Sequence, residues 1–276
     1  MASNAVLSIV NGQFCDLVSA SNRGLAYGDG VFETILVRDC QPLWLEDHLA
    51  RLACGAKRLN IPCDTSQIRR DCSLLLAGLN NTGAAVLKVV LTRGAVARGY
   101  TPYAAESDRI LSVSAYTQCC QSWDDGIALG LCQAQLSAQK RLAGIKHLNR
   151  LEQVLAAEEL HRRGYHEGLM MQDGLIIEGS RSNVFLVLDG KLFTPSLSRC
   201  GVEGVMRQRV LARAEQLGIS VNIREFGVSL LQRAEEVFVC NSVFGIWPVN
   251  KVECMHKQIG PVSRLLQREF HSYFYI

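Results

Sequence analysis

The spacing of apolar residues divides the first part of the chain into short strands and two helices. Apolar residues recur at intervals of three or four along 45–60, which predicts a helix. A second helix is predicted over 68–79, and Asn11-Gly12 is a pair typical of a hairpin turn. The short apolar runs of this part predict strands over 5–10, 31–38, 85–91 and 109–116.

Beyond residue 126 the pattern changes to short strands separated by Asp-Gly pairs. Asp173-Gly174 and Asp189-Gly190 each lie between two apolar runs, which predicts two β-hairpins. The other strands of this part are predicted over 127–136, 219–225 and 237–240, and its helices over 149–163 and 204–217. In the first of these helices we expect four apolar residues to share one side, namely Leu151, Val154, Leu155 and Leu160.

A polar, turn-rich stretch at 117–126 separates the two patterns, and we place a domain boundary near it. An N-terminal α/β sandwich domain is predicted over 1–118. A C-terminal domain with a β-barrel-like sheet and helices is predicted over 125–276. Strands and helices occur in both, so the sequence predicts a two-domain α+β fold.

Composition and charge are those of an ordinary globular protein. Of the 276 residues, 48% are hydrophobic and 20% are charged, and the formal net charge is +3. Lys and Arg are scattered rather than gathered into a stripe, so we expect no nucleic-acid partner. We also expect no membrane span and no signal peptide, because the apolar runs are short and the first residues lack a basic region.

The chain contains 11 cysteines and no Cys-x-x-Cys pair. Zinc sites commonly use such pairs, so no metal site is expected. Most of the cysteines lie among apolar residues, where small buried thiols are common. We therefore predict reduced, buried thiols in a cytoplasmic protein.

Two ionisable residues occupy positions where burial would favour a role in catalysis or cofactor binding. Lys146 precedes a predicted helix, and burial there disfavours its ammonium form, leaving the neutral amine that Schiff-base chemistry needs. Glu178 ends an apolar strand, where its carboxylate could pair with a pyridinium nitrogen. Each residue by itself is more commonly an ordinary surface side chain.

Three further segments carry groups that bind anions. Gly201 and Gly204 precede a predicted helix whose first backbone N–H groups suit a phosphate. Arg51 can hold a phosphate through two parallel hydrogen bonds. Arg93 and Arg98 lie in a glycine-containing loop and could bind carboxylates. Taken singly, these patterns are equally typical of a capped loop, a solvated arginine and a surface loop.

In combination and in this order, the segments resemble the fold-type IV pyridoxal-phosphate enzymes. Residues 23–34 (Arg-Gly-Leu-Ala-Tyr-Gly-Asp-Gly-Val-Phe-Glu-Thr) are similar to the N-terminal signature of that family, and 48–52 to its phosphate-binding arginine helix. The remaining matches follow in the expected order, namely Lys146, Glu178-Gly179, Asn183-Val184-Phe185, the loop 201–207 and Cys240-Asn241-Ser242.

The resemblance implies a fold like that of D-amino-acid aminotransferase and pyridoxal 5'-phosphate as the cofactor. Lys146 would hold the cofactor as a Schiff base, and Glu178 would face its pyridine nitrogen. The other implied cofactor contacts are Arg51, the backbone of Val205 and Met206, Asn241 and Ser242. The family is typically homodimeric, so the expected partners are a small-molecule substrate and a second copy of the chain.

Within that family, the flanks of the lysine favour the aminodeoxychorismate lyases. Residues 142–153 (Leu-Ala-Gly-Ile-Lys-His-Leu-Asn-Arg-Leu-Glu-Gln) and 88–94 resemble their motifs. Thr34 stands where lyases carry threonine and branched-chain aminotransferases carry glycine. The resemblance therefore implies conversion of 4-amino-4-deoxychorismate to 4-aminobenzoate and pyruvate, a step of folate biosynthesis.

Two departures from the lyase pattern keep other hypotheses open. Glu33 is the residue typical of aminotransferases, and 179–182 (Gly-Ser-Arg-Ser) is more polar than expected beside the cofactor. The alternative function is therefore an aminotransferase of D- or branched-chain amino acids. A non-catalytic binding protein is a third hypothesis, against which the intact Lys146, Glu178 and Arg51 argue.

The lyase hypothesis assigns catalytic and substrate roles to further residues. Lys146, once released from the cofactor, would take the proton from the ring carbon that bears the nitrogen. Thr34 is the candidate acid for the leaving enolpyruvate oxygen, directly or through a water, with the Lys146 ammonium as its rival. Arg98 is the candidate for a substrate carboxylate, and Tyr100 and Tyr27 are expected to line the substrate pocket.

Overall fold

The computed structural model describes residues 7–79, 83–95, 99–102 and 106–275. The chain divides into two compact units. Unit 1 comprises the described parts of Met1–Gln118 together with Ile145–Asn149. Unit 2 comprises Cys119–Gly144 and the described part of Arg150–Ile276. The short segment Ile145–Asn149 thus packs within unit 1, although it interrupts unit 2 along the chain.

Unit 1 is built on a six-stranded antiparallel sheet. Its strands are β1 (Leu7–Val10), β2 (Gln13–Phe14), β3 (Gly30–Arg38), β4 (Gln41–Pro42), β5 (Ala85–Thr92) and β6 (Asp108–Ala115). They pair in the order β2-β1-β6-β5-β3-β4. Its helices are α1 (Arg23–Tyr27), α2 (Leu45–Arg58) and α3 (Thr65–Ala77).

The core of unit 1 lies where α2 and α3 cover one face of this sheet. Apolar residues of both helices are buried against alternate residues of the strands, among them Val31, Ile35 and Val37 of β3. Because strand side chains alternate between faces, Phe32 and Thr34 point to the opposite face. Both are only half-buried there, so β3 presents one covered side and one accessible side.

Unit 2 contains a nine-stranded sheet and five helices among the residues that the structure describes. Its strands are β7 (Ile127–Gln135), β8 (Glu167–Gln172), β9 (Leu175–Gly179), β10 (Asn183–Leu188), β11 (Lys191–Pro195), β12 (Val221–Arg224), β13 (Glu236–Asn241), β14 (Gly245–Val252) and β15 (Met255–His256). Its helices are α4 (Cys120–Asp124), α5 (Leu151–Arg163), α6 (Val205–Gln216), α7 (Val228–Arg233) and α8 (Pro261–Phe274). Within the described ranges, no helix is long and apolar enough to cross a membrane.

The sheet of unit 2 follows the order β12-β11-β10-β13-β14-β7-β8-β9, with β15 beside β14. Strand β9, at the end of this order, also lies close to β10, so the sheet curls back on itself. The two predicted hairpins are confirmed. Asp173 (φ 50°) and Gly174 (φ 77°), like Asp189 (φ 51°) and Gly190 (φ 67°), have the positive φ angles that a tight two-residue turn requires.

Helix α5 corrects the expectation that Leu151, Val154, Leu155 and Leu160 share one side. Leu160 is buried with Ala156, whereas the other three are 77%, 59% and 58% exposed. The reason is the helical pitch. At about 100° per residue, nine residues place Leu160 half a turn away from Leu151. Helix α5 therefore leaves an apolar stripe on the surface of unit 2.

The cysteines also differ from the expectation that most are buried. Four are buried (Cys72, Cys132, Cys200 and Cys240), while the other seven are half-buried or exposed, and none is paired in a disulfide. Burial raises the pKa of Cys72 and of Cys132 to about 12, and that of Cys200 to about 11. These buried side chains are therefore protonated thiols at neutral pH and pack as small apolar groups.

Candidate functional site

Lys146 is held beside the start of β3 by backbone pairing. The Phe32 N–H donates to the Lys146 carbonyl (2.9 Å), and the Leu148 N–H donates to the Gly30 carbonyl (3.0 Å). A Cβ on Gly30 would lie 2.7 Å from the Leu148 side chain and 2.6 Å from the Leu91 carbonyl oxygen. Glycine at this position therefore allows the lysine segment to approach β3 so closely.

The accessible face of β3 brings two lysine amino groups and a hydroxyl into one neighbourhood. The Lys146 Nζ lies 4.4 Å from the centroid of the Phe32 ring, and the Lys88 Nζ lies 5.4 Å from the same centroid. Lys88 stands directly opposite Thr34 in the β3–β5 ladder. The structure thus places the predicted residues Lys146 and Thr34 in the same part of unit 1.

Lys88 is a candidate functional residue that sequence analysis missed. It is exposed on the same face of the sheet as Phe32 and Thr34. A signal existed in the sequence, because Lys88 is the single charged residue of the strand Ala85–Thr92, whose other residues are apolar except for Thr92. Its significance depends on the register of β5 against β3, which local patterns do not determine.

The covered face of β3 carries a buried cluster of Glu33, His48 and Arg51. Arg51 donates to both carboxylate oxygens of Glu33, through Nε (2.8 Å) and through Nη2. His48 contacts the same carboxylate, with Nδ1 2.6 Å from Oε2. The side chains of Glu33 and His48 are 1% and 0% exposed, whereas that of Arg51 is 15% exposed. Arg51 is therefore the member of the cluster that a ligand can reach.

The ionisation of this cluster follows from burial and proximity. Burial favours a raised pKa for Glu33, but the charge and hydrogen bonds of Arg51, together with His48, outweigh it and lower that pKa. Burial lowers the pKa of His48, and the nearby Glu33 carboxylate does not restore it. At neutral pH, Glu33 is therefore a carboxylate and His48 is neutral, so its Nδ1–H donates to Glu33.

The predicted substrate loop is only partly described. Arg98 lies outside the described residues. The rings of Tyr27 and Tyr100 contact each other in a tilted arrangement, with their centroids 5.4 Å apart, and Tyr100 is 85% exposed. Arg23 donates to the carbonyl groups of Gly99 (2.7 Å) and Tyr100 (3.1 Å), which ties the end of this loop to α1. The two tyrosines are thus neighbours on the surface of unit 1.

Arg93, the other arginine of that loop, serves the fold of unit 1. It donates to Asp29 (2.8 Å) and to the carbonyl groups of Leu59 and Asn60, each at 2.7 Å. Asp29 also accepts from Arg23 (2.7 Å). Burial alone would raise the pKa of Asp29. The hydrogen bonds and charges of the two arginines outweigh burial, so the pKa of Asp29 is lowered. Arg93 is therefore occupied by internal contacts rather than available to a carboxylate.

In unit 2, Glu178 lies at the end of β9 and holds the loop that leads to α6. Glu178 is 4% exposed, and its carboxylate accepts from the Val202 N–H (2.7 Å). The Asn183 side chain donates to the Val202 carbonyl (2.9 Å) from the other side. A Cβ on Gly204 would lie 2.1 Å from the Asn183 Oδ1, so a larger residue there would displace the Asn183 side chain. Asn183, matched only as part of a motif, therefore shapes the loop.

Helix α6 begins directly after this loop, at Val205 and Met206. Gly204 is its N-cap residue and has no side chain that could accept from the first turn. The first N–H groups of a helix have no intrahelical acceptor and carry a partial positive charge. The start of α6 is therefore suited to an anion.

The predicted residue Asn241 ends β13, and Ser242 lies in the turn that follows it. The Asn241 Oδ1 accepts from the N–H groups of Val243 (2.9 Å) and Phe244 (2.8 Å), and its Nδ2 donates to the Arg181 carbonyl (3.1 Å). The amide of Asn241 thus builds the turn that carries Ser242, which is half-buried.

The polar run 179–182 is organised by Glu167, a second residue that sequence analysis missed. The Glu167 carboxylate is fully buried. It accepts from the backbone N–H (2.8 Å) and hydroxyl (2.5 Å) of Ser180, and from the Ser182 hydroxyl (3.0 Å). It also accepts from the Gly168 and Arg181 N–H groups. The two serines therefore satisfy a buried carboxylate, which explains their polarity.

Replacing Glu167 by glutamine is expected to lower the free energy of unfolding by about 2–4 kcal/mol, because a buried amide nitrogen cannot accept from these donors. Urea denaturation monitored by circular dichroism measures the change. Glu158→Gln, on the exposed side of α5, is the control and should change stability by less than about 0.5 kcal/mol. Equal stability of both variants would contradict the role given to Glu167.

Comparison with known proteins supplies context for both units. The model of the amino-transferase class IV family matches residues 30–252. Aminodeoxychorismate lyase of Vibrio harveyi is 34% identical over 263 residues, covering 94% of this chain and 96% of that protein. D-alanine aminotransferase of Staphylococcus haemolyticus is 27% identical, covering 96% of each.

Two solved structures show the same architecture. The crystal structure of 4-amino-4-deoxychorismate lyase from Pseudomonas aeruginosa superposes with a TM-score of 0.92 at 46% identity, covering 96% of this chain and 98% of that one. The branched-chain amino acid aminotransferase of Escherichia coli superposes with a TM-score of 0.88 at 27% identity, covering 98% and 94%. The predicted two-domain, fold-type IV class of fold is confirmed.

Proposed function

Because this chain belongs to the amino-transferase class IV family, we propose that it is a pyridoxal-phosphate-dependent lyase that converts 4-amino-4-deoxychorismate to 4-aminobenzoate and pyruvate. The observation that carries the proposal is that Thr34 lies opposite Lys88 on the accessible face of β3, the face on which Lys146 contacts Phe32. A hydroxyl there suits protonation of a leaving oxygen, which a lyase needs and an aminotransferase does not. The similarity to lyases of 34% and 46% identity supports the same function.

The residues of unit 1 fit the aldehyde and the phosphate of the cofactor. Lys146 is half-buried, and its Nζ lies 4.4 Å from the centroid of the Phe32 ring. Arg51 is the accessible cation of the Glu33 cluster and suits a phosphate oxygen. We assign Lys146 to the aldehyde of pyridoxal phosphate and Arg51 to its phosphate.

The residues of unit 2 fit the remaining polar groups of the cofactor. The buried carboxylate of Glu178 suits the protonated pyridine nitrogen. The Val205 and Met206 N–H groups at the start of α6, and the Ser242 hydroxyl, suit the phosphate. Asn241 would act by holding the turn that presents Ser242. These roles, like those of unit 1, belong to the proposal.

The proposed mechanism assigns each proton movement to a side chain. Pyridoxal phosphate, when bound, supplies an electron sink for negative charge on the substrate carbon that bears the nitrogen. Lys146, as a neutral amine, removes the proton from that carbon. Thr34 donates its hydroxyl proton to the enolpyruvate oxygen as the bond from that oxygen to the ring breaks, and the Lys146 ammonium formed in the first step returns a proton to Thr34. Arg98, Tyr100 and Tyr27 keep their proposed roles in binding the substrate.

Lys88 is proposed as a further contact for a substrate carboxylate. The proposed substrate carries two carboxylates, and Lys88 supplies a positive charge directly opposite Thr34. Lys88→Met is expected to raise KM about tenfold, equivalent to about 1.4 kcal/mol, with a smaller change in kcat. Steady-state kinetics of pyruvate release measure both constants.

The control for this variant is Lys57→Met, because Lys57 is an exposed lysine of α2 in the same unit. It removes the same charge from a helix surface and should leave KM unchanged. An unchanged KM in Lys88→Met would remove Lys88 from the substrate site. A large fall in kcat alone would instead place it in the chemical step.

The test of the proposed function couples pyruvate release to lactate dehydrogenase. The purified protein should be yellow and should form pyruvate and 4-aminobenzoate in equal amounts from 4-amino-4-deoxychorismate. An aminotransferase of D- or branched-chain amino acids is the second candidate, supported by relatives at 27–31% identity. Absence of pyruvate, with keto-acid-dependent turnover of an amino acid, would replace the first proposal with the second.

A homodimer in the cytoplasm completes the proposal. The exposed stripe of Leu151, Val154 and Leu155 on α5 suits burial against a second copy. Eleven cysteines without a disulfide suit a reducing compartment. Light scattering after size-exclusion chromatography should give twice the mass of one chain, and a mass of 30.5 kDa would refute the dimer.

A further inference from the structure

Glu33 has no part in the proposed proton transfers, yet it is buried and ionised. Side chains alternate along β3, so Glu33 points away from Thr34 and toward α2. It meets Arg51 there with both carboxylate oxygens. The Glu33 carboxylate therefore pairs with Arg51 on the covered face of β3 and does not point to the accessible face.

The paired contact fixes the orientation of Arg51. A guanidinium is planar, and a carboxylate that accepts from both Nε and Nη2 holds one edge of that plane. Rotation about the end of the arginine side chain would break at least one of these two bonds. The opposite edge, with Nη1, therefore points in a set direction, and the exposed part of the cluster belongs to Arg51.

His48 in turn fixes Glu33. Its ring is fully buried, and its Nδ1 lies 2.6 Å from Glu33 Oε2. A neutral ring donates one N–H to the carboxylate without adding a second positive charge beside Arg51. The three side chains thus form a chain of contacts from His48 on one turn of α2, through β3, to Arg51 on the next turn.

We propose that Glu33, held by His48, is a positioning residue that aims the Arg51 guanidinium at the phosphate of the cofactor and so selects the phosphorylated form of pyridoxal. This inference rests on the proposed function, because it takes pyridoxal phosphate as the cofactor. It adds a reason for the presence of a carboxylate beside a phosphate-binding arginine.

Glu33 has two opposing effects on phosphate binding. The larger of the two determines whether Glu33→Gln binds pyridoxal phosphate more tightly or more weakly. The carboxylate neutralises part of the Arg51 charge, which weakens attraction for an anion. It also holds the guanidinium in one orientation, which strengthens a directional hydrogen bond. If only charge mattered, Glu33→Gln would bind pyridoxal phosphate more tightly. If orientation dominates, as we propose, the same variant binds it more weakly.

The experiment titrates the cofactor-free wild type and Glu33→Gln with pyridoxal phosphate and with unphosphorylated pyridoxal, following absorbance. The ratio of the two dissociation constants measures selection for the phosphate. Glu33→Gln is expected to raise the Kd for pyridoxal phosphate about tenfold and to leave the Kd for pyridoxal unchanged. The ³¹P chemical shift of bound pyridoxal phosphate should also move toward that of the free compound.

The matched control is Asp71→Asn. Asp71 pairs with Arg109 at 2.7 Å, and its side chain is 8% exposed, so this variant breaks another buried carboxylate–arginine pair of unit 1. It should keep the wild-type selectivity despite any loss of stability. Tighter binding by Glu33→Gln, unchanged selectivity, or an equal weakening for both ligands would overturn the inference and leave the proposed function intact. A wild type that binds no pyridoxal phosphate would overturn both.

A second pair of variants keeps the test independent of the folding of Glu33→Gln. His48→Leu retains Glu33 and Arg51 but removes the donor to Glu33, and should lower selectivity about threefold. His48→Asn places an amide donor near the position of Nδ1 and should restore much of the selectivity. Equal selectivity in His48→Leu, His48→Asn and wild type would also overturn the inference.

Discussion

Lys146→Ala is expected to give a colourless protein with a rate of pyruvate release lower by about 10³-fold or more. The variant lacks the amine that binds the cofactor aldehyde and moves the substrate proton. Its backbone pairing with β3 is made by main-chain atoms of the lysine segment and survives the change. Loss of function should therefore occur in a folded protein, which circular dichroism can verify.

Borohydride reduction sharpens this experiment, because two lysines flank the same Phe32 ring. Reduction of the wild type should attach the cofactor to the peptide that contains Lys146. Attachment to the peptide that contains Lys88 would transfer the anchoring role to Lys88. Lys191→Ala, an exposed lysine of unit 2, is the control and should remain yellow and active.

Thr34→Ala is expected to lower the rate of pyruvate release about 100-fold, while the affinity for pyridoxal phosphate changes less than about twofold. The hydroxyl protonates the leaving oxygen, and no role in cofactor binding is assigned to it. Thr34→Ser keeps the hydroxyl and should recover most of the activity. Single-turnover kinetics with stopped-flow absorbance separate the chemical step from binding.

Ser112→Ala is the matched control for Thr34. Ser112 stands opposite Lys88 in the β5–β6 ladder and presents a hydroxyl on the same face of the sheet. Its removal should leave turnover unchanged. If Thr34→Ala turns over as fast as wild type, the Lys146 ammonium becomes the acid.

Local patterns predicted those elements whose cause is local. The Asn-Gly and Asp-Gly pairs supply the positive φ angles that tight hairpins require. Helix α2 was predicted because its apolar residues recur at helical spacing. By contrast, neither β14 nor α8 was predicted. Strand β14 is largely buried on both faces, so its sequence lacks the alternation that marks a half-exposed strand.

The residues of the candidate site also differ in whether a local pattern or tertiary packing determines them. Lys146, Glu178 and Arg51 were predicted from motifs that a resemblance made specific. The partners of those residues could not be predicted, because they meet only through tertiary packing. Glu33 reaches Arg51 because β3 packs against α2, and Glu167 reaches Ser180 through the pairing of β8 with β9. A single sequence carries no local signal for either contact.

The Glu33 cluster also bears on the order in which the protein folds and acquires its cofactor. An arginine with no carboxylate beside it would be a partly buried, uncompensated charge in the folded protein until a phosphate bound to it. Here Glu33 compensates it from within, and His48 adds no charge. The apoprotein therefore has its electrostatic balance before any ligand arrives. We therefore expect the protein to fold without its cofactor and to bind it afterwards. We also expect it to remain folded when the cofactor is removed and bound again repeatedly.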